Sequence, residues 1–178
     1  PVLRKKAVEI DADYPNLSQL IADMYETMYD AHGVGLAAPQ IGVSIRLFIV
    51  DGKGFEEEEL KNFKKIFINA EILEETGDKW PFNEGCLSIP DIREDVDRKA
   101  KLRIRYVDEN FVEHEEAYDG TAARIIQHEY DHIEGKLFVD HLNPLRKRML
   151  QNRLNAITKG QVKVSYKMKF PNTNKKRR

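Results

Sequence analysis

The sequence predicts an α+β fold spanning residues 1–170. Apolar residues recur at three- and four-residue spacing in three separated stretches, the period of amphipathic helices. Short β-branched and aromatic runs lie between them, bounded by Gly, Pro, Asp and Asn. The chain has 178 residues, 41% of them hydrophobic, enough for one core, and it shows no repeat and no linker. One Cys excludes a disulfide framework. No apolar run approaches the ~20 residues of a membrane span. No leader pattern precedes Pro1, whose place at the front predicts a trimmed start. Membrane, secreted-scaffold and disordered classes are thereby excluded.

The first helix is predicted over residues 14–31, where Leu17, Leu20, Ile21, Met24 and Met28 share a face and His32-Gly33 closes the run. Residues 33–42 hold three Gly and a Pro, too many for an ordinary helix or strand. Residues 46–50 read as a short buried strand and 56–59 as a solvated acidic patch. Strands are predicted at 66–72 and 102–107, with a weaker one at 111–118 after Asp108-Glu109-Asn110, which suits a hairpin turn. Asp119-Gly120-Thr121 opens a second helix that Gly135 stops. Pro144 starts a third, with Leu145, Met149, Leu154 and Ile157 on its apolar side and Gly160 at its end. Val162, Val164, Tyr166, Met168 and Phe170 then alternate with polar residues, a strand period. Residues 171–178 are predicted to be a disordered basic tail.

Charge is segregated. Residues 1–140 carry 17 Lys and Arg against 30 Asp and Glu, whereas residues 141–178 carry 12 Lys and Arg and no acid. An acidic body with a basic end suggests a polyanion-facing segment, with a solvated helix face as the plain alternative.

The chemistry concentrates in His128-Glu129-Tyr130-Asp131-His132. Histidines four apart stand on one helix face, as two metal ligands require, and Glu129 lies about 100° round from His128, beside a bound ion. The fold expected is short antiparallel strands packed around a central metal-bearing helix, with a long N-terminal helix and a C-terminal helix. A catalytic site needs a third protein ligand. Downstream, Phe138 stands where one metalloprotease pattern has its last His, and Glu134 and Asp140 lie too close. The ligand is then sought upstream, in Cys86 of Glu84-Gly85-Cys86-Leu87-Ser88, whose sulfur suits a divalent transition metal. His32 and His114 are expected on loop or strand surfaces, and His141 on the surface near a helix start.

Three segments, residues 33–42, 84–88 and 127–135, resemble in order the motifs of peptide deformylase: Gly-x-Gly-Leu-Ala-Ala-x-Gln, Glu-Gly-Cys-Leu-Ser and Gln-His-Glu-x-Asp-His-x-x-Gly. The similarity also takes in Pro1-Val2-Leu3-Arg4 and runs to about Leu142. The resemblance implies a bacterial-type cytoplasmic hydrolase that removes the formyl group from the N-terminal methionine of newly made polypeptides, releasing formate. It implies one Fe²⁺ held by Cys86, His128 and His132. Spacing alone leaves Zn²⁺, Ni²⁺ and Co²⁺ open.

A metal-activated water would attack the formyl carbon with Glu129 as general acid/base. By resemblance, the Gln40 amide and the Leu87 backbone N–H stabilise the developing oxyanion. Gly35 would let substrate backbone pair with the loop. Val34, Phe82 and Ile125 are candidates for the walls of the methionine pocket, Glu84 and Arg98 for a supporting ion pair, and Arg93 for a contact with the peptide. The expected partners are nascent N-formylmethionyl peptides and, through the basic C-terminal segment, the ribosome near its tunnel exit. A monomer without membrane contact is expected. A metal-dependent endopeptidase is the alternative enzyme. A nucleic-acid-binding protein with a structural metal is the alternative from another class, disfavoured because structural sites are closed.

Overall fold

The computed structural model describes residues 2–171. The tail expected to be disordered therefore lies outside the described residues, apart from Pro171. Helices α1 (Leu17–Asp30), α2 (Gly120–Ile133) and α3 (Pro144–Thr158) combine with strands β1 (Gly35–Ala37), β2 (Leu47–Asp51), β3 (Lys64–Cys86), β4 (Ile89–Val107) and β5 (Glu113–Asp119). The five strands form one antiparallel meander in the order β1-β2-β3-β4-β5. The three helices and the α+β class are those expected from the sequence.

The sheet is sandwiched. On one face Leu47, Ile49 and Ile68 meet Leu17, Ile21, Met24 and Met28 of α1. On the other, Phe48, Phe67, Ile104 and Tyr106 meet Ala123, Ile125, Ile126 and Ile133 of α2. Every residue of β2 is buried, because both faces of that strand are covered. A third apolar cluster joins Ile89, Ile92 and Val96 of β4 to Phe138, Leu142, Leu150 and Ile157. Within it α3 is seated on the far end of the hairpin.

Two strands run well past their expected limits. Residues 66–72 and 102–107 do form strands, and pairing continues through Glu75↔Leu102, Phe82↔Val96 and Glu84↔Glu94 to Cys86↔Ile89. Beyond Ile68, β3 pairs with β4 alone, so Pro81 sits on a free edge, where a missing N–H costs no ladder bond. Four register irregularities, at Ile68/Glu71, Ile72/Glu74, Thr76/Lys79 and Gly85/Cys86, bend this ribbon, as bulges do.

Other expectations need correction. The loop at 33–42 contains a three-residue strand and a 3-10 turn, Ala38–Ile41. Asp119 stands at the N-cap of α2, but its side chain makes no capping bond. Leu145 and Met149 of α3 are exposed, at 70% and 62%, and the inward face is Leu150, Leu154 and Ile157. Residues 162–170 join no strand; their alternation reflects packing of one side onto the body of the protein. Gly135, at φ +72, stops α2 as expected, and a Cβ there would lie 3.0 Å from the Arg4 and Lys5 carbonyl carbons. No helix among the described residues is long and apolar enough to cross a membrane.

Candidate metal centre

Helix α2 is buried on almost every side, and it carries His128 and His132 one turn apart with ring centroids 5.3 Å from each other. Strand β3 delivers Cys86 to the same point just before the two-residue turn Leu87-Ser88. The Cys86 Sγ lies 3.3 Å from His132 Nε2, and the ligand atoms of Cys86, His128 and His132 all fall within 4.8 Å of one another. One sulfur and two imidazoles suit a borderline-soft divalent ion. Burial alone would raise the Cys86 thiol, but facing His132 and His128 hold it well below its ordinary range. That favours the thiolate, the form a metal ligand needs.

The surrounding shell orients His128. Its Nδ1 lies 2.8 Å from Glu84 Oε2, leaving Nε2 for the site. Glu84 is gripped in turn by Arg98, whose Nε donates to Oε1 at 2.7 Å and whose Nη2 donates to Oε2 at 3.0 Å. Arg98 Nη1 also donates to Asp131 at 2.8 Å, and His141 Nε2 lies 2.7 Å from the same carboxylate oxygen. Burial alone would raise the Glu84 carboxyl, yet His128 and Arg98 outweigh it and keep it far below the usual range. The ion pair expected between Glu84 and Arg98 is thus present and buried, and His141 belongs to this network instead of the open surface. The His132 Nδ1 is buried without a hydrogen-bond partner among the described residues.

Glu129 is buried beside the three ligand atoms, and its Oε2 has no hydrogen-bond partner among the described residues. Burial pushes its carboxyl up to about 7, against the opposing pull of His128 and His132. An orphaned carboxylate oxygen beside an S,N,N donor set fits an ion with a bound water between them. Gln40 bridges two segments. Its Oε1 accepts from Ala37 N at 2.8 Å, and its Nε2 reaches Ser88 Oγ at 3.2 Å and Cys86 Sγ at 3.6 Å. Gly35 faces Glu129: a Cβ there would lie 2.4 Å from Glu129 Oε1.

A cavity opens against this cluster, lined by Phe82, Glu84, Gly85, Arg93, Ile125 and Glu129, among others. Phe82, Ile125, Glu84 and Arg93 are among the residues expected there. Val34, also expected as a wall, is absent from this lining and packs against the sheet core. Arg93 lies across bare Gly85, where a Cβ would be 2.7 Å from its Nη1, and it donates to Asn83 Oδ1 at 2.8 Å. Sequence reasoning missed Arg124, which also lines the cavity. It is 2% exposed, stacks 4.7 Å from the Trp80 ring centroid, and donates to Glu84 Oε1 at 3.0 Å and Val96 O at 2.7 Å. An arginine one turn ahead of His128, between Ala123 and Ile125, was the available signal.

The family model described as polypeptide deformylase matches residues 1–148. A protein named peptide deformylase from Christiangramia forsetii is 53% identical over 186 aligned residues, covering 99% of this chain and 95% of that protein. One of the same name from Flavobacterium johnsoniae is 55% identical, covering 96% and 91%. Among solved structures, a peptide deformylase from Legionella pneumophila superposes with a TM-score of 0.77 at 41% identity, covering 90% of this chain and 91% of that one. The plant peptide deformylase PDF1B gives 0.82 at 34%, covering 90% and 86%.

Proposed function

From the premise that this chain belongs to the polypeptide deformylase family, a family of metal-dependent hydrolases that remove the N-formyl group from nascent polypeptides, we propose how its own residues do so. Cys86, His128 and His132 hold one ion, Fe²⁺. When bound, that ion supplies Lewis-acid chemistry, acidifying a water and polarising the formyl carbonyl. Glu129 accepts a proton from the attacking water and returns it to the departing amine; a carboxyl tuned towards neutrality suits both directions. The Gln40 Nε2–H and the Leu87 backbone N–H donate to the formyl oxygen as it gains charge. Phe82 and Ile125 wall the pocket for the methionine side chain, and Arg93 at its mouth meets the peptide.

Residues 1–170 act as one catalytic unit, monomeric and cytoplasmic. The basic segment over residues 159–178 meets the ribosome near the tunnel exit.

The observation that carries this reading is the convergence of the three ligand atoms within 4.8 Å beside the buried Glu129 carboxylate, whose Oε2 has no hydrogen-bond partner among the described residues. The test is formate release from formyl-Met-Ala-Ser by protein loaded anaerobically with Fe²⁺, next to an internally placed, blocked peptide. Formate without cleavage of the blocked peptide is expected; the reverse would make the protein an endopeptidase. Glu129→Ala should keep the metal and lose turnover, by about 10²–10⁴-fold for a general acid/base. Retained turnover would remove that role from Glu129.

A further inference from the structure

Residues 161–170 lie beyond the stretch that the family model matches, yet they are built against the site. Gly160, at φ +72, turns the chain after α3, and the Phe170 ring folds back over it, so that a Cβ on Gly160 would lie 3.2 Å from Phe170 Cδ2. Val162 packs into the apolar cluster that Cys86 borders. Tyr166 reaches furthest: its hydroxyl donates to the Leu87 carbonyl oxygen at 2.8 Å.

Leu87 and Ser88 are the whole turn between β3 and β4, flanked by the pair Cys86↔Ile89. One side of this turn is held by Gln40, whose Nε2 reaches Ser88 Oγ at 3.2 Å. Tyr166 holds another. The Leu87 carbonyl and the Leu87 N–H belong to the peptide units on either side of residue 87, so holding the carbonyl restrains the φ and ψ of residue 87 that aim its N–H. A donor must lie within a few tenths of an ångström of its place to stabilise a developing oxyanion.

We propose that Tyr166 is a positioning residue for the deformylation step. Its hydroxyl fixes the Leu87 carbonyl, and through it the orientation of residue 87 and of the Leu87 N–H. The assignment rests on the reading of Leu87 as an oxyanion donor, so its test includes a variant of the partner donor, Gln40.

Full-length, metal-loaded Tyr166→Phe and Gln40→Ala are compared with the parent for kcat and KM on formyl-Met-Ala-Ser, for metal content and for Tm. Phenylalanine keeps the packing and removes one neutral hydrogen bond. For Tyr166→Phe, kcat should fall about five- to tenfold, with KM and metal content unchanged and Tm lowered by no more than the few degrees that one hydrogen bond is worth. Gln40→Ala should lose about 10²–10³ in kcat. If Gln40→Ala collapses but Tyr166→Phe keeps its kcat, the Tyr166 assignment alone is overturned. A Tyr166→Phe enzyme that loses Tm or KM with kcat intact overturns it as well, since the contact is then merely structural. If Gln40→Ala keeps its kcat, the donor reading fails and the Tyr166 assignment falls with it.

Discussion

Gly35 and Glu129 share one space. A Cβ on Gly35 would lie 2.4 Å from Glu129 Oε1 and 2.7 Å from its Cγ, distances that real contacts do not reach. The glycine of the first motif therefore seats the carboxylate supplied by the third. Gly35→Ala should push Glu129 out of its position beside the ligand atoms. A displacement of about 1 Å at a reacting group can cost about 10²-fold, so formate release should fall by about that factor while metal content, read by elemental analysis, stays at one ion. Unimpaired turnover would mean that Glu129 works equally well when shifted.

Cys86→Ser should lose or loosen the metal. The hydroxyl of serine is harder and far less acidic than a thiol held as a thiolate between two imidazoles. Chelator competition would report this as a lower affinity for Fe²⁺ or Co²⁺ and, with Co²⁺, as loss of the sulfur-to-metal charge-transfer band. Unchanged content and spectrum would remove Cys86 from the ligand set.

The metal ligands and Glu129 were legible because each rests on a local spacing or a short motif, whereas no spacing ties Glu84 to Arg98, which meet across the β3–β4 hairpin. What stayed hidden departs from the simple hydrophobic period, each time for a local reason. Strand β4 alternates cleanly, with Ile92, Val96, Leu102, Ile104 and Tyr106 facing in, but Glu94 and Arg98 occupy buried positions of the same row. Those two charges mask the hydrophobic period over residues 89–101. Gly77 and Pro81 read as breakers in β3, which tolerates them because that stretch is a sheet edge. Residues 162–170 erred the other way, with a strand period but no ladder to join. Arg124 was overlooked because its one signal, a place between Ala123 and Ile125 one turn ahead of His128, is weak in a residue type that is mostly exposed.

Arg98→Met should destabilise the protein and loosen the metal together. Arg98 and Glu84 are 5% and 3% exposed as side chains, so the substitution takes from the buried carboxylates of Glu84 and Asp131 the cation they share, leaving Glu84 to Arg124 and His128 and Asp131 to His141. Breaking a buried pair from one side costs about 3–5 kcal/mol, a fall of roughly 10 °C in Tm for a chain of this size. With Glu84 less firmly held, His128 loses orientation, and disturbing such a partner typically weakens metal affinity by about 10–100-fold. A variant with parental metal affinity would reduce the network to a purely structural one.

Glu116 gives a pH-dependent contribution well away from the metal. Its carboxylate accepts from Lys65 Nζ at 2.9 Å, from Tyr106 at 2.7 Å and from Tyr118. Burial would raise its pKa, but Tyr118, Lys65 and Tyr106 together lower it. A group whose folded pKa is depressed stabilises the fold above its unfolded value, about 4.3 for Glu, and this is lost as pH falls through the folded value. Glu116→Gln should therefore be less stable than the parent at pH 7, and the gap should narrow below about pH 4. Urea unfolding at the two pH values measures it; a gap that widens on acidification would reverse the sign of the argument.

The basic end offers a prediction through salt. Residues 172–178 carry Lys175, Lys176, Arg177 and Arg178 and no acid, and their removal leaves Tyr166 and its contact with Leu87 in place. If the segment meets ribosomal RNA, each phosphate it neutralises contributes about 0.7–0.9 to the slope of log K against log salt. Deleting residues 172–178 should weaken binding to ribosomes at low salt and flatten that slope by up to about 3. Formate release from a free tripeptide should not change, since these residues lie beyond the proposed catalytic unit. The combination separates docking from catalysis: a slope identical to the parent's would leave the charge as solubilising surface, and a loss of tripeptide activity would tie the tail to the site itself.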